Sequence, residues 1–152
     1  MEFEDVLRFI NLFCSGVAAG ILIVVAIALM PTVMTFPPGT VVRFKAMFDP
    51  LVDRINPPFV LFSMITGLLL LFIGDPSSTQ VVFTIIGIVG SIGVAATSLG
   101  VNMRINRTMA SWNADDPPPE FQPLITRWIG VHRIRTLSGT LAFVCYIVAA
   151  LA

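Results

Sequence analysis

Apolar residues run through this chain in four long stretches, and polar residues collect where those stretches begin or end. From Val6 to Met30 a single charge interrupts, Arg8, and from Val81 to Met103 there is none. Crossing ~30 Å of hydrocarbon takes about 20 helical residues, so both stretches predict membrane-spanning helices. Another, from Pro58 to Ile73, is short at its apolar core, but "PPFVLFSMITGLLLLFIG" suffices when the helix starts near the interface. The last, Leu124 to Ala152, is polar in its first half and apolar to its end. The predicted fold is all-α: a four-helix transmembrane bundle with up-down connectivity, one domain over residues 1–152. Gly16 and Gly20 at GxxxG spacing, then Gly87, Gly90, Gly93 and Gly139, are the expected packing positions, because helices in lipid associate through close backbone approach.

The connections differ in kind. "GDPSSTQ" is a tight link between the second and third spans. The first connection contains Phe44, Met47, Phe48, Leu51 and Ile55 at helical spacing, with Lys45, Asp49, Asp53 and Arg54 elsewhere. That pattern predicts an amphipathic interfacial helix between spans one and two, lying at the membrane surface or over the bundle mouth. Pro50 is expected to kink or restart it. The third connection, "SWNADDPPPEFQP", is acidic and proline-rich and predicts an ordered cap.

Composition agrees with a lipid solvent. Only 12% of the 152 residues are charged and 56% are hydrophobic, against about 25% charged in a soluble domain. Nine basic and nine acidic residues cancel, which leaves no basic surface for nucleic acid. Cys14 and Cys145 both lie in apolar runs, outside any CxxC pattern, and read as buried hydrophobes. The acidic start "MEFEDVLRF" is unlike a signal peptide, so the first span is expected to be retained. With four spans, Arg8 is the only basic residue on the side of the termini. Arg43, Lys45, Arg54, Arg104, Arg107, Arg127, Arg133 and Arg135 fall on the other side. The positive-inside rule then places the long connections in the cytoplasm and both termini outside, in the cell (inner) membrane.

The polar opening of the fourth span, "RWIGVHRIRT", sorts by helical spacing. Trp128, His132, Arg135, Thr136 and Gly139 share one stripe, while Arg133 points away from it. On the third span Asn102 and Asn106 are four apart and share a face running to Met109. Asn56 stands at the start of the second span. Three spans thus deliver polar groups to one end of the bundle, where Trp112 and Trp128 add aromatic walls. Tryptophan and arginine are also ordinary interface anchors, and asparagine often caps helices. Ionisable groups on an inward stripe are costly in a membrane and point to function, with an interhelical hydrogen-bond network as the other reading.

One histidine and no thiolate cluster leave too few ligands for a metal site. Phosphate-binding and dinucleotide-binding glycine patterns are absent, so no cofactor is expected. Acid–base chemistry with electrostatic stabilisation remains. His132 as base, with Arg135 and Asn102 stabilising an anion, forms the candidate catalytic set. Asn56, Asn106, Trp112, Trp128 and Thr136 are the candidate binding residues. Apolar walls with a few convergent polar groups suit a hydrophobic small molecule arriving through the bilayer.

Four segments carry a family resemblance: "GVAAGILIVVAIALMP", "FKAMFDPLVDRINPPF", "GVNMRINRTMASW" and "RWIGVHRIRT". In their order VN, then W, RW and RT, from about Gly16 to the end, the chain resembles the integral-membrane family that includes the anthrone oxygenases of aromatic polyketide pathways. The resemblance implies a cofactor-independent monooxygenase that deprotonates an anthrone- or quinol-like substrate, whose anion reacts directly with dioxygen. It also implies that Asn56, Asn102, Trp128, His132, Arg135 and Thr136 are recurrent polar positions. Met103 and His132 depart from the pattern, standing where many members carry proline and asparagine, which makes Arg135 with Asn102 the steadier core. Two other functions stay open. A non-enzymatic accessory or assembly subunit, as a homo-oligomer or in a larger membrane complex, expects the polar groups to pair among themselves and leave no cavity. A small transporter is the weaker reading, since no internal repeat or broken helix pair is visible.

Overall fold

The computed structural model describes residues 2–152 and is all-helical among them. Helix α1 covers Phe3–Val33, α2 Pro38–Leu70, α3 Ser78–Ala110 and α4 Phe121–Leu151. Capping boxes start α1, with Glu2 N–H donating to Asp5 Oδ2, and α3, where Ser77 and Gln80 exchange bonds. Pro38 opens α2, where its missing N–H costs nothing. Three helices, α1, α3 and α4, are long and apolar enough to cross a membrane, and they make this an integral membrane protein.

The surface is inverted relative to that of a soluble protein. Large side chains such as Leu61, Phe62, Ile85, Val89, Leu137 and Leu141 are exposed, whereas Asn11, Lys45, Asp49, Asn56, Asn102, His132 and Arg135 are buried. Hydrocarbon offers no hydrogen bonds, so polar groups turn toward one another and apolar ones face lipid.

Helix α2 corrects the reading of the first connection. It is one unbroken helix of 33 residues through Pro50, Pro57 and Pro58. The segment expected to lie at the interface is therefore continuous with the expected second span. Its orientation also differs: Met47, Leu51 and Ile55 are exposed, and Lys45, Asp49 and Asn56 face inward. Phe44 and Phe48, from the same predicted apolar stripe, pack against the core instead.

Contacts fix which ends meet. Arg8 Nη1 donates to Ala150 O, and Glu4 lies against Gly74, the left-handed residue (φ 72°) of the α2–α3 turn. Both termini and the short link thus share one end. At the other end Arg43 pairs with Asp115, and a Cβ on Gly39 would overlap the Ala114 carbonyl oxygen. The acidic connection is held as a cap over the start of α2. Most of the expected packing glycines do pack closely: Gly16 on Phe143, Gly87 on Tyr146, Gly90 on Ala142, Gly93 on Ser138 and Gly139 on Leu22. Gly20 is the exception, with nothing near it. Cys14 and Cys145 are buried and free.

Two π-helical turns, Val25–Leu29 in α1 and Ser98–Asn102 in α3, adjust the register. Met30 N–H donates to Val25 O and Met103 N–H to Ser98 O, each five residues back. On α3 the inward positions Val94, Ser98, Asn102 and Asn106 step by fours. An α-helix would carry such a row around its side, and the wider turn keeps Asn102 and Asn106 buried.

Candidate functional site

The four helices bring their polar groups together between two apolar clusters. Trp128 belongs to one, with Met109 and Ile125, while Leu22, Val60 and Val94 belong to the other. The α4 stripe is as the spacing predicts: Trp128, His132, Arg135 and Gly139 are buried, Thr136 is half-buried and Arg133 is exposed. The His132 ring stacks on Trp128, with centroids 4.9 Å apart and planes 3° from parallel. Lys45, the only lysine, places Nζ 3.8 Å from the centre of the Trp128 ring and 2.8 Å from Asp49 Oδ2. That cation is buried and held by a carboxylate and a π face.

Donor and acceptor rules settle the state of His132. Its Nε2 lies 3.1 Å from Leu22 O, which only accepts, and its Nδ1 lies 3.0 Å from Arg135 Nη2, which only donates. The ring is therefore neutral, with its hydrogen on Nε2 and its lone pair occupied by Arg135. Thr136 Oγ1 donates to His132 O at 2.9 Å, tying the hydroxyl to the helix. Arg135 Nη1 reaches Ser98 Oγ at 3.3 Å, and its Nε, though buried, has no partner.

Asn106 is fixed by the same rules. Its Oδ1 accepts from Trp128 Nε1 at 2.8 Å and its Nδ2 donates to Asp53 Oδ2 at 3.0 Å. Asn56 Oδ1 and Asn102 Oδ1 are buried without partners. An unpaired buried polar atom costs about 1–3 kcal/mol, and Asn56, Asn102 and Arg135 each carry one.

A cavity of about 450 Å³ lies beside them between α2 and α3. Its polar wall consists of Asp53, Asn56, Ser98 and Arg135, and the remainder is aliphatic, aromatic or thioether. Leu61, Phe62 and Leu99 on its rim are more than half exposed, so it opens sideways toward lipid. A smaller cavity of about 170 Å³ touches the other edge of Trp128 and His132, against Met30 and Met34 of the first helix and the residues after it. A groove of about 520 Å³ beside Gly20 is apolar throughout and offers no chemistry.

Of the expected site residues, Arg135 and Asn56 line the larger cavity, and His132, Trp128 and Asn106 support it through contacts. Asn102 is buried nearby on α3 but is not part of the wall. Trp112 packs on Phe121, ring centres 6.5 Å apart, away from the cavity. Spacing alone did not single out Lys45, Asp49, Asp53 or Ser98. The signal was present: positions 45, 49, 53 and 56 continue to the buried Val60 and Ser63 as one helical stripe. Asp49 pairs with Lys45, and Asp53 accepts from Asn106. Among the described residues no three of His, Cys, Asp or Glu gather closely enough to hold a metal ion.

The sequence model of the anthrone oxygenase family matches residues 44–145, more than half of the chain and every residue of the polar wall. Nothing matches among curated proteins or among solved structures.

Proposed function

The chain belongs to the anthrone oxygenase family, and on that premise we propose that it oxygenates a hydrophobic aromatic substrate, anthrone- or quinol-like, without a cofactor. The observation that carries this reading is the lipid-facing cavity whose buried wall holds an unpartnered Arg135 Nε–H and an unpartnered Asn56 Oδ1. A phenolic hydroxyl can donate to Asn56, and a ring carbonyl that becomes an oxyanion can accept from Arg135. Positioned donors in a site that excludes water stabilise developing charge far better than water does. His132, with both nitrogens engaged, orients the guanidinium. The balance is a ring CH₂ and O₂ giving a ring C=O and H₂O, so dioxygen is the only oxidant required.

In this reading α2 is the fourth membrane-spanning element, completing a four-helix bundle around the site. The long connections then face the cytoplasm, in accord with the basic residues on that side. An accessory subunit would satisfy its polar groups internally and leave no cavity. The open wall and its unpaired atoms favour the enzyme.

Isotope labelling tests the proposal. The purified protein in lipid nanodiscs, given 1,8-dihydroxyanthrone under ¹⁸O₂, should yield the anthraquinone with one ¹⁸O at the former methylene carbon, faster than nanodiscs alone. Product formed at the protein-free rate would end it.

A further inference from the structure

We propose that Asp53 is the proton acceptor of the site, a role no expected residue fills. The inference rests on the oxygenase reading for its substrate and on the cavity wall for its argument. Four polar side chains line that wall. The Arg135 guanidinium stays protonated and cannot accept. The Asn56 amide and the Ser98 hydroxyl are too weakly basic. Asp53 alone is a carboxylate open to the cavity. His132, the more obvious base, is not on this wall, and its lone pair is taken by Arg135. Asp49 is committed to Lys45 and is also off the wall.

The geometry of Asp53 suits the task. Asn106 holds Oδ2 at 3.0 Å, itself fixed by Trp128 at 2.8 Å, while Oδ1 has no hydrogen bond among the described residues. One oxygen orients the group and the other is free. Asp53 itself is half-buried at the cavity edge.

Charge bookkeeping favours the same residue. The buried region holds two cations, Lys45 and Arg135, and two carboxylates, Asp49 and Asp53. When a ring C–H bond breaks, the proton joins Asp53 Oδ1 and the electron pair delocalises to the ring oxygen beside Arg135. The site keeps its net charge throughout, so no ion has to be brought from water into a low-dielectric interior. This step needs no oxidant.

Deuterium exchange isolates it. Under anaerobic conditions in D₂O, full-length protein in nanodiscs should accelerate deuterium uptake at the methylene of 1,8-dihydroxyanthrone above the protein-free rate. Asp53→Asn, which can still accept from Asn106, should lose that acceleration by about 10²–10⁴-fold, the usual contribution of a positioned base. Asp53→Glu keeps a carboxylate and should retain part of it, which covers the case of an unstable Asp53→Asn. Wild-type exchange no faster than the control, a folded Asp53→Asn that exchanges as fast as wild type, or a folded Asp53→Glu with no acceleration overturns the proposal. Admitting oxygen separates the two readings: exchange without oxygen uptake removes the oxygenase and keeps Asp53, whereas unchanged uptake by Asp53→Asn does the reverse.

Discussion

Lys45 shows how much chemistry one residue can organise. Its ammonium is 1% exposed, paired to Asp49 and placed over the indole on which His132 stacks. Removing one partner of a buried pair leaves an uncompensated charge and costs about 3–5 kcal/mol, whereas replacing both with apolar residues is near neutral. Lys45→Met should therefore lower the thermal midpoint in nanodiscs sharply, and Lys45→Met/Asp49→Leu should recover most of it. A double variant no more stable than the single one would show that the pair is not the buried unit described. The same buried position explains why lysine was missed. A lone lysine among Phe44, Met47 and Phe48 reads as the wet side of an interfacial helix, and nothing in a single sequence says that its partner is an indole on α4.

At the scale of the element, periodicity was legible on α3 and α4 together with its direction, but not on α2. The α4 stripe from Trp128 to Gly139 and the α3 stripe from Asn102 to Met109 both face inward as spacing predicts. On α2 the expected apolar face is divided: Met47, Leu51 and Ile55 face outward while Phe44 and Phe48 pack on the core. Of the expected polar set, Lys45 and Asp49 are buried while Arg54 is exposed. Hydrophobic spacing does not state which solvent each face meets. The prolines misled for a related reason. Pro50 removes one helical bond, yet α2, packed along α1, continues through it. The π turns carry no sequence signature beyond rows that step by fours. Glycine packing gives the element-scale test. A Cβ at Gly87 would come within 2.6 Å of the Tyr146 ring, and Gly20 has open space. Gly87→Ala should destabilise by about 1–3 kcal/mol as overpacking does, while Gly20→Ala, gaining helix propensity, should leave the melting temperature equal or higher. Equal effects in thermal melts would contradict the assigned helix faces.

For the molecule as a whole, the inverted surface and the sideways cavity belong together. A substrate that dissolves in lipid need never cross an aqueous mouth, and the rim residues Leu61, Phe62 and Leu99 offer it an apolar approach. Leu99→Trp, on an exposed position of that rim, should reduce kcat/KM for 1,8-dihydroxyanthrone several-fold with little change in thermal stability. An unchanged kcat/KM would mean that the substrate arrives elsewhere. The whole-molecule arrangement also distinguishes arginines that composition cannot: Arg133 is exposed on the outside of α4, and two residues away Arg135 closes the cavity.

That contrast supplies the most direct test of the site. Oxygen uptake with 1,8-dihydroxyanthrone should be equal in wild type and Arg133→Ala, and lower by about 10²–10³-fold in Arg135→Ala, as for the loss of a positioned electrostatic stabiliser. Uptake that is the same in all three, or that falls equally in both variants, would contradict the assignment of catalysis to this cavity.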